Sequence, residues 1–261
     1  MGKRCYEEPP RLLFYRSGTL SVSHPTDTRV GGISAKAGRS DLSDRLVEIF
    51  GLLLAFFGPQ HWWPADGPFE VAIGAILTQN TNWRNVERAV GNLRRMAALT
   101  IEGISRLSEM ELAELIRPSG CFTVKARRLT NYISYVVERY GGDFFASLSG
   151  DWAEKRDELL SISGIGPETA DSILLYAGGH PTFVVDAYTR RVTARHGFAP
   201  TDAGYEELRS LFMENLPADA SLFNEFHALF VAVGKRFCRP REPRCEGCPL
   251  LALLYREREA G

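Results

Sequence analysis

A chain of 261 residues is long enough for one large or two small domains with a real hydrophobic core. Charged residues make up 24% and apolar residues 44%, a globular balance, and the net charge of −1 excludes a broadly basic surface. The sequence contains no apolar run of transmembrane length and no apolar core of a secretory signal. We therefore expect a cytoplasmic protein without a membrane partner, whose five cysteines are metal ligands or free thiols.

The first 40 residues show little hydrophobic periodicity. Pro9-Pro10 and Gly31-Gly32 break any regular element. The scattered serines, threonines and charged residues between them leave too few apolar side chains to build a core. We therefore predict a flexible N-terminal extension over residues 1–40.

From residue 41 onward, apolar residues recur at helical spacing, and the breaks carry helix start and stop residues. Ser108 and Glu111, for example, form a capping-box pattern. The predicted helices cover about 42–57, 69–77, 83–96, 108–118 and 124–140, two hairpin helices on either side of 164–166, then 187–195, 205–213 and 218–237. No alternating strand pattern of useful length occurs, so we predict an all-α fold of about ten helices.

The turn between the two hairpin helices is Gly164-Ile165-Gly166. Glycine adopts positive φ at low cost and lets bare backbone approach another molecule closely. Pro167 suits the first position of the second helix, since its missing N–H would be unpaired there. The N–H groups that open this helix then point outward as an anion site, which suits a DNA phosphate. An ordinary packed helix–turn–helix is the alternative.

A Gly/Pro-rich loop at residues 178–181 and then Asp186 follow this hairpin. The segment resembles the helix-hairpin-helix motif of the endonuclease III superfamily of DNA glycosylases, and the resemblance covers about residues 43–248. It implies two helical lobes with a cleft between them: a six-helix domain at 68–182, and a second lobe of 41–67 plus 183–261 that carries a C-terminal cysteine loop. It also implies that the partner is double-stranded DNA with a damaged base, and we expect a monomer.

Two acidic residues carry the predicted chemistry. By resemblance, Asp186 is the superfamily's catalytic acid, where a carboxylate stabilises positive charge on the deoxyribose and orients or deprotonates water. It also suits the N-cap of helix 187–195, and both roles can hold together. Glu168 stands where the bifunctional members have a lysine that forms a Schiff base with the sugar. A carboxylate cannot form an imine, so we predict a monofunctional glycosylase, although Glu168 also complements the helix dipole.

Tryptophans cluster at Trp62-Trp63-Pro64 and at Trp83, a pattern similar to that of the 3-methyladenine DNA glycosylases within the superfamily. The resemblance implies that Trp62 and Trp83 stack on the two faces of a flipped base. A purine alkylated at its 3- or 7-position is cationic, so aromatic faces attract it and it leaves without a general acid. The predicted base pocket consists of Trp62, Trp63, Pro64, Trp83, Glu168 and Lys235. Core tryptophans and a surface lysine are the alternatives.

A polar run at residues 78–82 interrupts the helices just before Trp83. By resemblance, Gln79 enters the duplex and fills the gap left by the flipped nucleotide, and helix capping is the alternative role. A candidate basic patch consists of Lys125, Arg127 and Arg128 together with Arg190 and Arg191, with a solvated helix face as the alternative. The predicted DNA-binding residues are Gln79, Asn80, Gly164, Ile165, Gly166 and Thr169.

Cys238, Cys245 and Cys248 are spaced C-x6-C-x2-C, which matches three of the four ligands of the superfamily's [4Fe–4S] cluster. The fourth position of that pattern is Leu254. We therefore suspect a [4Fe–4S] cluster whose fourth ligand is not the usual cysteine. The fourth ligand could be an exogenous group or Cys5. Two other interpretations remain open: zinc bound by three thiolates plus another ligand, and a site that no longer binds metal.

Together these features predict a monofunctional DNA N-glycosylase of base excision repair that removes alkylated purines such as 3-methyladenine from duplex DNA. One alternative is an endonuclease III-like glycosylase for oxidised pyrimidines or mispaired bases, against which Glu168 and the tryptophans argue. The other is a non-catalytic DNA-binding relative, against which Asp186 argues.

Overall fold

The structure, a computed structural model, describes residues 37–253, with side chains from residue 41 onward. Within this range the chain forms twelve α-helices and no β-strand, which confirms the all-α fold class. The helices are α1 (Ala37–Phe57), α2 (Pro68–Leu77), α3 (Trp83–Arg95), α4 (Ile101–Ser105), α5 (Glu109–Leu115), α6 (Phe122–Tyr140), α7 (Phe144–Leu148), α8 (Trp152–Leu160), α9 (Pro167–Ser172), α10 (Ala187–Arg195), α11 (Tyr205–Asn215) and α12 (Ala220–Arg236). A 3₁₀ turn at Arg117–Ser119 precedes α6, and a π-helical turn at Ile173–Ala177 follows α9.

The predicted N-terminal extension lies outside the described residues up to residue 36, and α1 begins at Ala37, inside the last part of that range. In the described part of the chain, none of the helices is long and apolar enough to cross a membrane.

Local side-chain caps set where several helices begin. At α5 the predicted capping box is confirmed: Ser108 Oγ accepts from the Glu111 N–H at 3.3 Å, and Glu111 accepts from the Ser108 N–H at 2.8 Å. The hairpin helix α8 is capped by Asp151, which accepts from the N–H groups of Ala153 and Glu154 at 2.9 and 3.1 Å. These short-range patterns are the reason why most helix starts can be read from the sequence.

Two helices were not predicted, α4 and α7. Each has five residues, which is too short to show a 3.6-residue period. Their N-caps, Thr100 and Asp143, nevertheless accept hydrogen bonds from the backbone at 2.9 and 3.0 Å. With these two helices, residues 68–182 contain eight α-helices rather than six.

Buried apolar side chains form two separate clusters. The first runs from Ala72 to Leu174, and Tyr132 of α6 is fully buried inside it. The second combines α1 with residues 175–253 and contains stacked aromatic rings, with Phe183 and Phe212 at 3.9 Å between ring centroids. The chain passes from one cluster to the other in the π-helical turn after α9. The exact lobe boundaries inferred from the sequence stay a prediction.

The fully buried carboxylate of Asp171 joins the hairpin to the second cluster. Arg156 of α8 donates two hydrogen bonds to it, at 2.9 and 3.1 Å, and Arg209 of α11 lies 3.4 Å away. Thr182 and Tyr205 donate further hydrogen bonds, at 2.7 and 2.8 Å. A buried charge is stable only when it is paired and fully hydrogen-bonded, so this network holds α8, α9 and α11 in one arrangement.

Replacing this carboxylate should therefore destabilise the fold. We expect Asp171→Asn to lower the free energy of unfolding by about 3–5 kcal/mol, because Arg156 loses its buried ionic partner. Urea denaturation measures the loss. The control is Asp157→Asn, which removes the same charge from an exposed position on α8 and should change stability by less than about 0.5 kcal/mol. Equal stability of the two variants would contradict the role given to Asp171.

Candidate active site

A cleft of about 500 Å³ opens where the two hydrophobic clusters meet. The first cluster contributes the segment before α2, the α2–α3 loop and the start of α9, and the second contributes the start of α10 and one face of α12. The cleft is lined by Trp62, Trp63, Ala75, Thr78, Gln79, Asn80, Thr81, Asn82, Trp83, Glu168, Thr169, Ser172, Val184, Asp186, Tyr188, His227, Val231 and Lys235.

Three of the predicted pocket tryptophans form one aromatic wall of the cleft. The ring of Trp63 meets those of Trp62 and Trp83 edge to face, with centroids 5.6 and 5.1 Å apart. All three side chains are half-buried. The indole N–H of Trp83 donates to Glu87, whereas those of Trp62 and Trp63 are buried without a hydrogen-bond partner. The wall therefore offers aromatic surface to the cleft, whereas the indole N–H groups of Trp62 and Trp63 are shielded from it.

Of two further residues predicted for the pocket, Pro64 and Lys235, only Lys235 lines the cleft. Pro64 is exposed and does not line the cleft, although Trp62 and Trp63 beside it do. Lys235 does line it, with Nζ 5.7 Å from the centroid of the Trp62 ring, a cation–π distance. Lys235 is otherwise exposed, so its long side chain can move away from the ring when another group approaches.

Asp186 lies at the bottom of the cleft and is also the N-cap of α10. Its Oδ1 accepts from the N–H and the hydroxyl of Thr189 at 2.8 and 3.1 Å. Burial opposes ionisation, but the neighbouring His227 and the Thr189 hydrogen bonds outweigh it and lower the pKa of Asp186 below its usual value. The carboxylate is therefore a stable anion at neutral pH.

Glu168 stands in the first turn of α9 and lines the same cleft. Its pKa is shifted in the opposite direction: partial desolvation inside the cleft and the negative charge of Asp186 raise it above the usual value. Two carboxyl groups whose environments separate their pKa values are suited to different tasks. Glu168 favours the protonated form more than Asp186 does.

The sequence analysis missed His227, which lines the cleft, and Tyr176, which contacts His227 from behind the lining. His227 is 5% exposed, its Nδ1 lies 2.5 Å from the Tyr176 hydroxyl, and its Nε2 lies 3.5 Å from Asp186 Oδ2. A signal was available on α12, since His227, Val231 and Lys235 recur every four residues and face the cleft together. Without the fold, a histidine on an apolar helix looks like a core residue.

Gln79 is placed where the cleft meets the hairpin. Its side-chain amide donates to Thr169 Oγ1 at 2.9 Å and to the Gly164 carbonyl at 3.4 Å. A neighbouring groove of about 890 Å³ is lined by Gln79, Asn80, Gly164, Ile165, Gly166, Thr169 and Asp186 among others. The structure thus brings all six predicted DNA-binding residues to one continuous surface that leads to Asp186.

Glycine is required at position 164. Its φ is +97°, and a Cβ there would lie 2.3 Å from Cγ of Arg128. The side chain of Ile165, in contrast, is buried and anchors the turn in the first cluster. A ligand in the groove therefore meets the backbone of this turn rather than large side chains.

The predicted basic patch on α6 is wrong for Lys125. Its side chain is buried, and Nζ donates to the carbonyls of Leu77 and Ser119 at 2.9 and 2.7 Å. These carbonyls end α2 and the 3₁₀ turn, where the backbone lacks helical partners. Arg127 faces Glu109 at 3.4 Å, so Arg128 is the one residue of the three that lines the hairpin groove.

The three C-terminal cysteines line a closed cavity of about 30 Å³. Arg195 donates to Cys238 Sγ at 3.3 Å and to backbone carbonyls of the cysteine loop. His196 lines the same cavity, is 4% exposed, and its Nδ1 has no hydrogen-bond partner. Among residues 37–253, no three His, Cys, Asp or Glu side chains are close enough to share one metal ion. Leu254 and Cys5 lie outside the described residues.

Comparison with known proteins identifies the family. Residues 73–218 match the HhH-GPD superfamily of base excision DNA repair proteins. A Methanocaldococcus jannaschii protein named as a DNA repair glycosylase is 46% identical over 208 residues, which cover 79% of this chain and 94% of the relative. Endonuclease III of Thermotoga maritima is 32% identical over 196 residues, 74% of this chain and 86% of that enzyme. The chain belongs to the HhH-GPD superfamily and is a base excision DNA glycosylase, an enzyme that acts on N-glycosyl bonds.

Within that superfamily it is an endonuclease III-like helix-hairpin-helix protein, and solved structures share its fold. A trapped covalent complex of endonuclease III with DNA matches with a TM-score of 0.71 at 24% identity, covering 83% of this chain and 98% of that one. H. pylori 3-methyladenine DNA glycosylase bound to 1,N6-ethenoadenine matches with a TM-score of 0.63 at 27% identity, covering 76% and 97%. At 24% identity the first likeness concerns the fold alone.

Asp186 both lines the cleft and caps α10, and the second role leads to a prediction about stability. Asp186→Asn keeps an oxygen that can accept from Thr189, so we expect it to unfold close to the wild type. Asp186→Ala removes the cap of α10 and should lower the free energy of unfolding by about 1 kcal/mol. Urea denaturation of both variants checks this. If both lost the same stability, the side-chain cap would not be contributing, and Asp186→Asn would be unsuitable for activity tests.

Proposed function

We propose that this protein is a monofunctional DNA glycosylase that hydrolyses the N-glycosidic bond of alkylated purines, such as 3-methyladenine, in duplex DNA. The observation that carries the proposal is a single cleft that is lined by both Asp186 and three tryptophans. Glu168 occupies the position where a lysine would be needed for a covalent intermediate. The protein is proposed to act as a monomer in the compartment that contains the DNA.

The aromatic wall supports a cationic substrate base. A 3- or 7-alkylated purine carries a positive charge, and the face of an indole attracts a cation by about 0.5–2 kcal/mol. Lys235 already lies at a cation–π distance from Trp62, which indicates that this face can hold a positive charge. Flipping also costs less for a damaged base that pairs poorly. The cleft therefore favours alkylated purines over neutral bases.

The proposed reaction is hydrolysis with Asp186 as the catalytic residue. As the bond from C1′ to the purine nitrogen breaks, its electron pair moves to the cationic base, which leaves as a neutral molecule. Positive charge then develops on the deoxyribose, and the Asp186 carboxylate stabilises it. Water attacks C1′, and its proton passes to Asp186 or to solvent. The product is an abasic site.

Glu168 supports the absence of a lyase step. Strand cleavage in bifunctional glycosylases needs an amine that forms a Schiff base with the sugar. A carboxyl group cannot form that bond, whether it is protonated or ionised. The released abasic site would therefore remain intact.

The hairpin groove supports binding of duplex DNA beside the cleft. The turn at residues 164–166 exposes backbone to an approaching phosphate, which is how phosphate contacts position a protein on a duplex. Gln79 is held by Thr169 and Gly164 at the edge of the cleft. This edge is where a side chain would fill the space left by a flipped nucleotide, with Asn80 beside it.

A base-release assay tests the proposal. Purified protein should liberate free base from duplexes that contain 3-methyladenine or 7-methylguanine. Asp186→Asn should reduce the rate at least about 100-fold, because the transition-state charge loses its partner, while binding of an abasic duplex stays similar. Chromatography of released bases and gel-shift titration give the two measurements.

Other outcomes of this assay would favour one of the alternative functions. Release of oxidised pyrimidines or mispaired bases alone would favour the endonuclease III-like alternative, which the named relatives make the second candidate. DNA binding without release of any base would favour a non-catalytic relative. Sodium borohydride should trap no covalent protein–DNA adduct, under conditions in which an endonuclease III does form one; an adduct would contradict the monofunctional mechanism.

We also propose that Cys238, Cys245 and Cys248 hold a [4Fe–4S] cluster, with His196 as the fourth ligand. The three thiols line one cavity together with His196, and their spacing in the sequence matches that of three cluster ligands. His196 offers the buried imidazole nitrogen without a partner that such a site needs. When bound, the cluster would brace the cysteine loop.

Metal analysis checks this second proposal. Anaerobically purified protein should contain about four irons and four sulfides per chain and absorb visible light. Cys245→Ser should lose most of the iron. His196→Ala should alter the electron paramagnetic resonance spectrum of the reduced cluster, and His196→Cys should restore a four-thiolate spectrum. Absence of iron, or an unchanged spectrum in His196→Ala, would refute the ligand set.

A further inference from the structure

His227 is the most buried polar residue of the cleft that the proposed reaction leaves without a task. Its imidazole lies between Tyr176, in the π-helical turn, and Asp186, at the start of α10. The ring is 6% exposed at the side chain, and Nε2 has no hydrogen-bond partner within normal distance. A buried polar group without a partner is costly, so its retention next to the proposed catalytic acid calls for a physical reason.

The contact with Tyr176, together with the carboxylate near Nε2, favours one tautomer of His227. Burial, and then the charges of Asp186 and Glu168, raise the pKa of Tyr176 well above its usual value, so the phenol keeps its proton at neutral pH. Among the described residues, the phenol makes its side-chain hydrogen bond with His227 Nδ1, at 2.5 Å. A phenol that donates to Nδ1 makes that nitrogen the acceptor, and the single proton of a neutral imidazole then sits on Nε2.

The two oxygens of Asp186 have separate surroundings. Oδ1 is occupied by the N–H and the hydroxyl of Thr189. Oδ2 faces His227 Nε2 at 3.5 Å, which is longer than a hydrogen bond by roughly half an ångström. A small shift of either side chain closes this gap. The N–H of His227 is therefore directed at the one carboxylate oxygen that α10 leaves free for the substrate.

We propose that His227 is a positioning residue for the glycosylase reaction: Tyr176 fixes the Nε2–H tautomer, and this N–H orients Asp186 Oδ2 and holds it as an anion. The inference rests on the proposed function of the cleft. An N–H donor suits this task because a hydrogen bond to Oδ2 stabilises the carboxylate and fixes its orientation.

Acidic, phenolic and basic groups surround His227 in the cleft. Glu168 at the start of α9 and Asp186 at the start of α10 face it with carboxyl groups, and Tyr176 faces it as a neutral phenol. Lys235, two turns further along α12, lines the same cleft. Arg190 lies close enough to lower the pKa of Glu168. Since the nearest neighbour of Nε2 is an anion, removal of the imidazole must make ionisation of Asp186 harder.

Three variants test this role through the pH profile of base release. His227→Leu removes the donor, so the pKa of Asp186 should rise. The acidic limb of the kcat profile should then move to higher pH by about one unit, which lowers kcat about tenfold at the most acidic pH values. His227→Gln places an amide N–H near the position of Nε2 and should retain most of kcat. Tyr176→Phe should fall between them. In all three, binding of an abasic duplex should stay within about twofold, which separates positioning from misfolding.

Nuclear magnetic resonance tests the same claim without catalysis. Long-range ¹H–¹⁵N spectra should show His227 as the Nε2–H tautomer in the wild type, assigned by its absence in His227→Gln, and as a mixture in Tyr176→Phe. The carboxyl carbon of Asp186 should titrate at higher pH in His227→Leu. If the wild type released no alkylated base, the proposed function would be wrong, but these spectra would still test whether His227 Nε2–H interacts with Asp186. An Nδ1–H tautomer, or an unchanged Asp186 titration in His227→Leu, would overturn the inference.

Discussion

The buried carboxylate of Asp171 is the constraint on which the cleft depends. It lies on α9, three residues after Glu168, and is held by Arg156 from the other hairpin helix and by Tyr205 from the second cluster. Since a buried charge that loses a partner is strongly destabilised, these contacts stabilise the observed position of the hairpin beside α11. The same helix α9 carries Glu168 and Thr169 into the lining of the cleft that contains Asp186.

Within this frame, surroundings rather than residue type separate the two carboxyl groups of the cleft. Asp186 is stabilised as an anion by Thr189 and His227, whereas Glu168 meets desolvation and the charge of Asp186. In the proposed mechanism, Asp186 faces a developing cation, and Glu168 stands in place of an amine that could attack the sugar. Hydrolysis to an abasic site is the reaction proposed for this pair.

The shared fold leaves the choice of substrate to the residues that line the cleft. Endonuclease III and a 3-methyladenine DNA glycosylase have the same helical architecture as this chain, although their names refer to different activities. The aromatic wall of Trp62, Trp63 and Trp83 is the feature that bears most directly on base selection here. Lys235, with Nζ 5.7 Å from the centroid of the Trp62 ring, is a further group beside this wall.

The sequence by itself determined the all-α class, most helix starts, the need for glycine at the hairpin turn and the position of Asp186 after that turn. These features depend on caps, turns and 3.6-residue periodicity, which act over a few neighbouring residues. Only the tertiary structure decided which side chains meet. It buried Lys125 beneath two helix ends, left Pro64 outside the cleft and brought His227 to Asp186. Such contacts join residues far apart in the chain, and their energies depend on burial and distance, which no local pattern encodes.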